Sequence, residues 1–92
     1  MSLLRSIGMK VNYTKNAADD IFYWKTKNIK IYKRIKNIID DIIEHPFDGI
    51  GKPEALKYNL SGKWSRRITQ EHRIIYEVIN AEIIIHQCRF LY

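Results

Sequence analysis

The feature that most constrains this chain is a change of rhythm at His45-Pro46. Before it, Ile31, Tyr32, Ile35, Ile38, Ile39 and Ile42 keep helical spacing. After it, apolar residues come in short runs punctuated by Gly, Asn and Ser. A residue that precedes proline avoids the α region, so the helix ends at Glu44. Asn28 is placed to cap its start. Thr14 is placed to cap an earlier helix over residues 15–27, with Ala18, Ile21 and Phe22 as its stripe. Lys10–Tyr13 alternates and reads as a first strand.

Residues 47–54 (FDGIGKPE) hold two glycines and a proline, which reads as a loop. Runs over 56–60, 64–69, 73–79 and 82–90 read as strands. Ser61-Gly62, residues 69–72 and Asn80-Ala81 supply the turns. Consecutive hairpins make an antiparallel meander. The order predicts an α+β fold: a twisted antiparallel sheet with a two-helix hairpin packed on one face. Residues 9–92 read as a single domain. Residues 1–8 read as an N-terminal extension outside the fold, with Met9 as an alternative start.

Composition removes several function classes. The chain has 92 residues and a formal charge of +6, from 16 Lys+Arg against 10 Asp+Glu. That excess predicts a polyanionic partner. A single cysteine, Cys88, leaves no internal disulfide and fits a reducing, cytoplasmic setting. It reads as a buried strand residue, not a nucleophile. His45, His72 and His86 show no zinc-ligand spacing, so no metal or cofactor is expected. No apolar run is long enough for a spanning helix, and residues 1–8 lack a signal peptide's apolar region.

Two stretches carry the charge. Between Lys52 and Arg73 stand six basic residues and two acids, with Tyr58 and Trp64 interleaved. Such a surface suits RNA, cations meeting phosphates and rings stacking on bases; a solvated face with core aromatics is the alternative. Lys25, Lys27, Lys30, Lys33, Arg34 and Lys36 form a second run without an acid. It reads either as a solvated face or as a contact for a large polyanion such as ribosomal RNA. The pairs Asp19-Asp20 and Asp40-Asp41 read as solvated, since adjacent helical residues do not face each other. No helix-turn-helix pattern favours a DNA-reading module.

The residues from Gly51 to Ile68 (GKPEALKYNLSGKWSRRI), followed by Glu71-His72-Arg73 and Tyr76, resemble the Txe/YoeB family within the RelE-like superfamily. The resemblance runs from Met9 to Tyr92. It implies a toxin of a bacterial toxin–antitoxin module with a microbial ribonuclease-like fold. The implied activity is ribosome-dependent, metal-independent cleavage of mRNA in the A site, which stops translation. The implied partners are ribosomal RNA and an acidic YefM-like antitoxin. The implied assembly is often a homodimer, with operator DNA bound through the antitoxin complex.

Metal-free RNA cleavage needs a base for the 2′-OH, cations for the phosphorane and an acid for the leaving oxygen. The resemblance assigns Glu54 as base and Arg73 as the main stabiliser of the transition state. Lys52, Lys57 and Arg67 are carried over as phosphate contacts, Tyr58 and Trp64 as substrate-lining residues. Tyr92 is carried over as a catalytic residue that orients or stacks the substrate, and Glu71 as the group that orients Arg73. The family typically ends in Tyr-His-Tyr, with the histidine as general acid; this chain ends in Phe90-Leu91-Tyr92. Leucine donates no proton, so an attenuated toxin is the competing expectation. His86 reads as a core or surface histidine, and His72 as pointing away from Arg73.

Overall fold

The computed structural model describes residues 9–92. The expectation for residues 1–8 lies outside the described residues. Strand β1 (Lys10–Tyr13) leads into helix α1 (Lys15–Lys27) and helix α2 (Ile29–Glu44). Strands β2 (Glu54–Ala55), β3 (Trp64–Arg67), β4 (Arg73–Ile79) and β5 (Glu82–Gln87) follow, with a 3-10 turn at Tyr58–Leu60.

Both helices begin where capping chemistry places them. Thr14 Oγ1 accepts from Ala17 N, and Asn28 Oδ1 accepts from Ile31 N. Helix α2 buries Ile35, Ile38, Ile39 and Ile42 and stops at His45, before Pro46. Helix α1 buries Ala17 and Trp24. Of the stripe predicted for it, Ile21 packs against the core, while Ala18 and Phe22 are exposed, Phe22 by 66%, and line a groove beside Tyr32. Ala17 and Trp24, seven residues apart, give the sheet-facing side instead.

The sheet runs β1-β5-β4-β3-β2. Its β5–β4–β3–β2 part is antiparallel as expected, but β1 pairs in parallel with β5, so the sheet is mixed. A parallel pairing needs a long connection, here the helical hairpin and strands β2–β4, and no local turn announces it. The strand expected over 56–60 is the second difference. Tyr58 takes a left-handed φ of 58° and the chain closes a 3-10 turn there. The last strand also stops at Gln87, short of Phe90. There Cys88 N donates to Asp20 Oδ2 and Cys88 O accepts from Trp24 Nε1, so α1 takes the backbone off the sheet. Asp20 is therefore not merely solvated, which corrects that expectation.

Alternation divides the sheet. Trp64, Ile74, Tyr76, Ile83 and Ile85 pack toward the helices. Arg66 points to the same side. Glu54, Ser65, Arg67, Arg73, Ile75 and Glu77 occupy the other face, which no helix of the described residues covers.

Candidate active site

The uncovered face gathers its side chains by register. Glu54 pairs with Ser65, Ser65 with Ile75, and Ile75 with Gln87, making one row across four strands. Ser65 and Ile75 are buried and form the floor. In the adjoining row Arg67 lies directly opposite Arg73. Residues two apart on a strand share a face, so Glu54 sits diagonally from Arg67 at about 7–8 Å between backbones, with Arg73 one strand further on. Like charges placed opposite each other destabilise a sheet unless an anion lies between them.

Each cation has its own support. Arg73 Nη1 donates to the carbonyls of Thr69, Gln70 and His72 at 2.8, 3.1 and 3.2 Å. Its Nε and Nη2 carry no protein partner among the described residues. Glu71 makes no ion pair with Arg73 there; backbone carbonyls orient the guanidinium in its place. Arg67 is tied by its backbone, N to Gly51 O at 2.6 Å, and its side chain is exposed. Lys52 and Lys57 are exposed, and Lys52 holds a φ of 55° two residues before Glu54. That left-handed conformation costs a non-glycine residue about 1–2 kcal/mol.

The aromatic candidates separate. Tyr58 is 90% exposed in the 3-10 turn between β2 and β3. Trp64 does not join it. It lies on the helix side of β3, with its ring 5.0 Å from Phe47 and packed against the core. Tyr92 and Leu91 are exposed in the segment after β5. His86 is half-buried on β5, Nε2 2.6 Å from Glu77 Oε1.

Arg66 is the residue that sequence reasoning placed wrongly, among the surface cations. It is fully buried. Nε donates to Tyr76 Oη at 3.2 Å; Nη1 donates to Asp41 Oδ2 at 2.6 Å and Ile50 O at 2.9 Å. Nη2 donates to His45 O and to Asp48 O. All the loop carbonyls from His45 to Ile50 that it holds belong to the segment delivering Lys52 and Glu54. Asp41 is thereby corrected too: it anchors Arg66 and accepts from Ile50 N. Burial works to raise the Asp41 carboxyl, but hydrogen bonds from Arg66 and Ile50 N outweigh it and hold it below the ordinary range. Alternation was the available signal, since Arg66 stands two residues from inward-facing Trp64.

Cys88 is buried, and burial pushes its thiol well up, away from nucleophilic character. Among the described residues no group of His, Cys, Asp and Glu could hold a metal ion. Nor is any helix there long and apolar enough to cross a membrane.

A small α+β domain with an uncovered basic sheet face defines a class, and comparison identifies it. Residues 13–92 match the YoeB-like toxins of bacterial type II toxin–antitoxin systems. Toxin YoeB of Escherichia coli O6:H1 is 48% identical over 84 residues, 91% of this chain and 100% of that protein. The YoeB/ParE toxin from Agrobacterium tumefaciens superposes with a TM-score of 0.89 at 40% identity, over 91% of this chain and 100% of that one. Staphylococcus aureus YoeB has been solved with YefM and as a dimer, at 38% and 36% identity. Both superpose with a TM-score of 0.84, over 91% of this chain and 98% of theirs. The chain belongs to the YoeB toxin family.

Proposed function

We propose that this toxin is a ribosome-dependent, metal-independent endoribonuclease that cleaves mRNA in the A site of bacterial cytoplasmic ribosomes. The observation that carries the reading is the Arg67–Arg73 pair with Glu54 in the adjoining row. A phosphodiester between the two guanidiniums relieves their repulsion and brings its 2′-OH toward the carboxylate. Glu54 then takes the 2′-OH proton, and that oxygen attacks phosphorus. Arg73, its Nη1 already anchored, presents its free donors to the charge that develops on the phosphorane. The 5′-oxygen leaves, taking a proton from Tyr92, a ribosomal group or water, and a 2′,3′-cyclic phosphate remains. Lys52, Lys57 and Tyr58 border this path as backbone and base contacts.

Leu91 favours a second reading, an attenuated toxin that keeps antitoxin and ribosome binding but cleaves slowly. Tyr92 is the ionisable side chain nearest to Leu91 in sequence. The likeness to the Staphylococcus aureus YoeB–YefM complex and dimer supports an acidic YefM-like antitoxin and a homodimer here. Operator DNA is then reached through the antitoxin complex. The test is single-turnover cleavage of mRNA on programmed ribosomes beside free RNA, for the wild type and Glu54→Gln, with a thermal melt of each. Cleavage on ribosomes that is lost in a well-folded Glu54→Gln supports the enzyme. Tight ribosome binding without wild-type cleavage supports the attenuated form.

A further inference from the structure

The segment after β5 is fastened more heavily than a chain end requires. Phe90 sits at a left-handed φ of 68°. Its N–H donates to His72 Nδ1 at 2.7 Å. Its carbonyl accepts from Arg73 N at 2.9 Å and from Gln87 Nε2 at 3.2 Å. Gln87 Nε2 also donates to Leu91 O at 3.0 Å. The Arg89 guanidinium lies 3.5 Å over the Tyr23 ring and 4.6 Å from the Phe90 ring. His72 is itself seated edge-on against Trp24, with ring centroids 4.8 Å apart. Tyr92 is thus held to a backbone whose position is set beside Arg73.

One of these fastenings depends on a proton. A ring nitrogen that accepts an N–H must present its lone pair, so His72 carries its hydrogen on Nε2. An imidazolium has N–H on both nitrogens, and its Nδ1–H would meet the Phe90 N–H donor to donor. We propose that His72 is a positioning residue that clamps the Phe90–Leu91–Tyr92 segment beside Arg73 only while its ring is neutral, and that protonation at Nδ1 opens the clamp. Histidine is the side chain whose ordinary titration falls between pH 5 and 8. The charged groups around it oppose one another. Asp20 on α1 interacts electrostatically with both His72 and Arg89. Arg89 lies nearby through Asp20, and Glu71 and Arg73 flank His72 in sequence. The effect of the clamp on cleavage rests on the ribonuclease reading, whereas the clamp itself does not.

The experiment follows the Phe90 amide by hydrogen exchange, as a protection factor corrected for intrinsic rate, at pH 8 and pH 5. In the wild type it should fall about fivefold more than the amides of β4, the worth of one hydrogen bond. His72→Asn places a carbonyl oxygen where Nδ1 was and cannot take the proton, so its protection should be high and indifferent to pH. The ¹⁵N shift of His72 Nδ1 in the wild type should report an unprotonated nitrogen at pH 8, a measurement that needs no variant. A protonated Nδ1 at pH 8, a pH-independent wild type, or an equal fall in His72→Asn each overturns the proposal. On ribosomes, single-turnover cleavage should drop less in His72→Asn than in the wild type as pH falls from 8 to 6, with ribosome affinity unchanged. An equal drop denies His72 the positioning role in catalysis. A clamp seen by exchange in a protein that cleaves nothing retires the ribonuclease reading and leaves the clamp standing.

Discussion

Arg67 and Arg73 face each other across two strands with no carboxylate between them, and their repulsion is useful only to an anion. Arg73→Ala should therefore slow cleavage by roughly 10² or more, in the range known for removing one donor from a developing oxyanion. Arg73→Lys should slow it less, because an ammonium keeps the charge but not the planar fork that holds carbonyls and phosphate together. Both should act on the cleavage of ribosome-bound mRNA more than on ribosome affinity. Leu91 carries a second prediction at this scale. It is 48% exposed and outside the core, so Leu91→His leaves the core intact. If leaving-group protonation limits the rate, that substitution should raise it about tenfold, below the ceiling of roughly 10² to 10⁴ set by a well-placed acid. The single-turnover rate reads both outcomes.

At the scale of elements, the loop before β2 has little packing of its own and depends on Arg66. Arg66→Met leaves Asp41 without its cation and several carbonyls unpaired and should cost about 3–5 kcal/mol in urea unfolding, the worth of breaking a buried ion pair. Gly49 belongs to the same joint: a Cβ there would stand 2.1 Å from Asp41 Oδ2, at a φ of 116°. Asp41 gives the joint a pH dependence of definite sign. Its folded-state value is depressed. The stability it contributes is complete above the ordinary carboxylate value of about 4 and is lost as pH falls below that through the folded-state value. Asp41→Asn should remove this part of the acid sensitivity, measured as unfolding free energy from pH 6 to pH 2.5.

The helices were legible to the residue because their ends are set locally, by Thr14, Asn28 and Pro46. The 73–79 strand was equally plain, apolar and bounded by turns. What stayed hidden depends on distant partners. The β1–β5 pairing joins residues some seventy positions apart, as Lys10 with Glu82. Asp20 and Asp41 looked like surface acids because their acceptors' partners, Cys88 N and Arg66, are remote in sequence. Of the site, Glu54 and the basic residues came from the motif and their shared face from strand register. Trp64 fell on the far side because alternation, not composition, decides a face.

Taken whole, the molecule carries two basic surfaces, which meet where Arg34 Nη2 donates to Arg67 O at 3.4 Å. The uncovered sheet face holds Arg67 and Arg73, while Lys27, Lys30 and Lys33 are exposed on the helical hairpin. Lys25 and Lys36 lie 5.9 and 5.6 Å over the Tyr32 ring between them. Replacing Lys27, Lys30 and Lys33 with glutamate should weaken ribosome binding and its salt dependence while leaving cleavage of bound mRNA near normal. An equal loss in the bound-state rate would place the hairpin in the chemistry. Association with an acidic antitoxin should likewise slow as salt rises, which stopped-flow rates measure directly.

The place of β5 in the sheet has a consequence for synthesis. It lies between β1 and β4 although it is the last strand in chain order. A polypeptide emerging N-terminus first exposes β1, both helices and the β2–β4 hairpins while the slot between them is vacant. Until β5 emerges, β1 has no neighbour, Trp24 has no Cys88 carbonyl to grip, and the segment carrying Tyr92 has not been made. A half-made chain therefore has β4 lacking one neighbour, β1 unpaired and the segment carrying Tyr92 absent until nearly the whole chain exists.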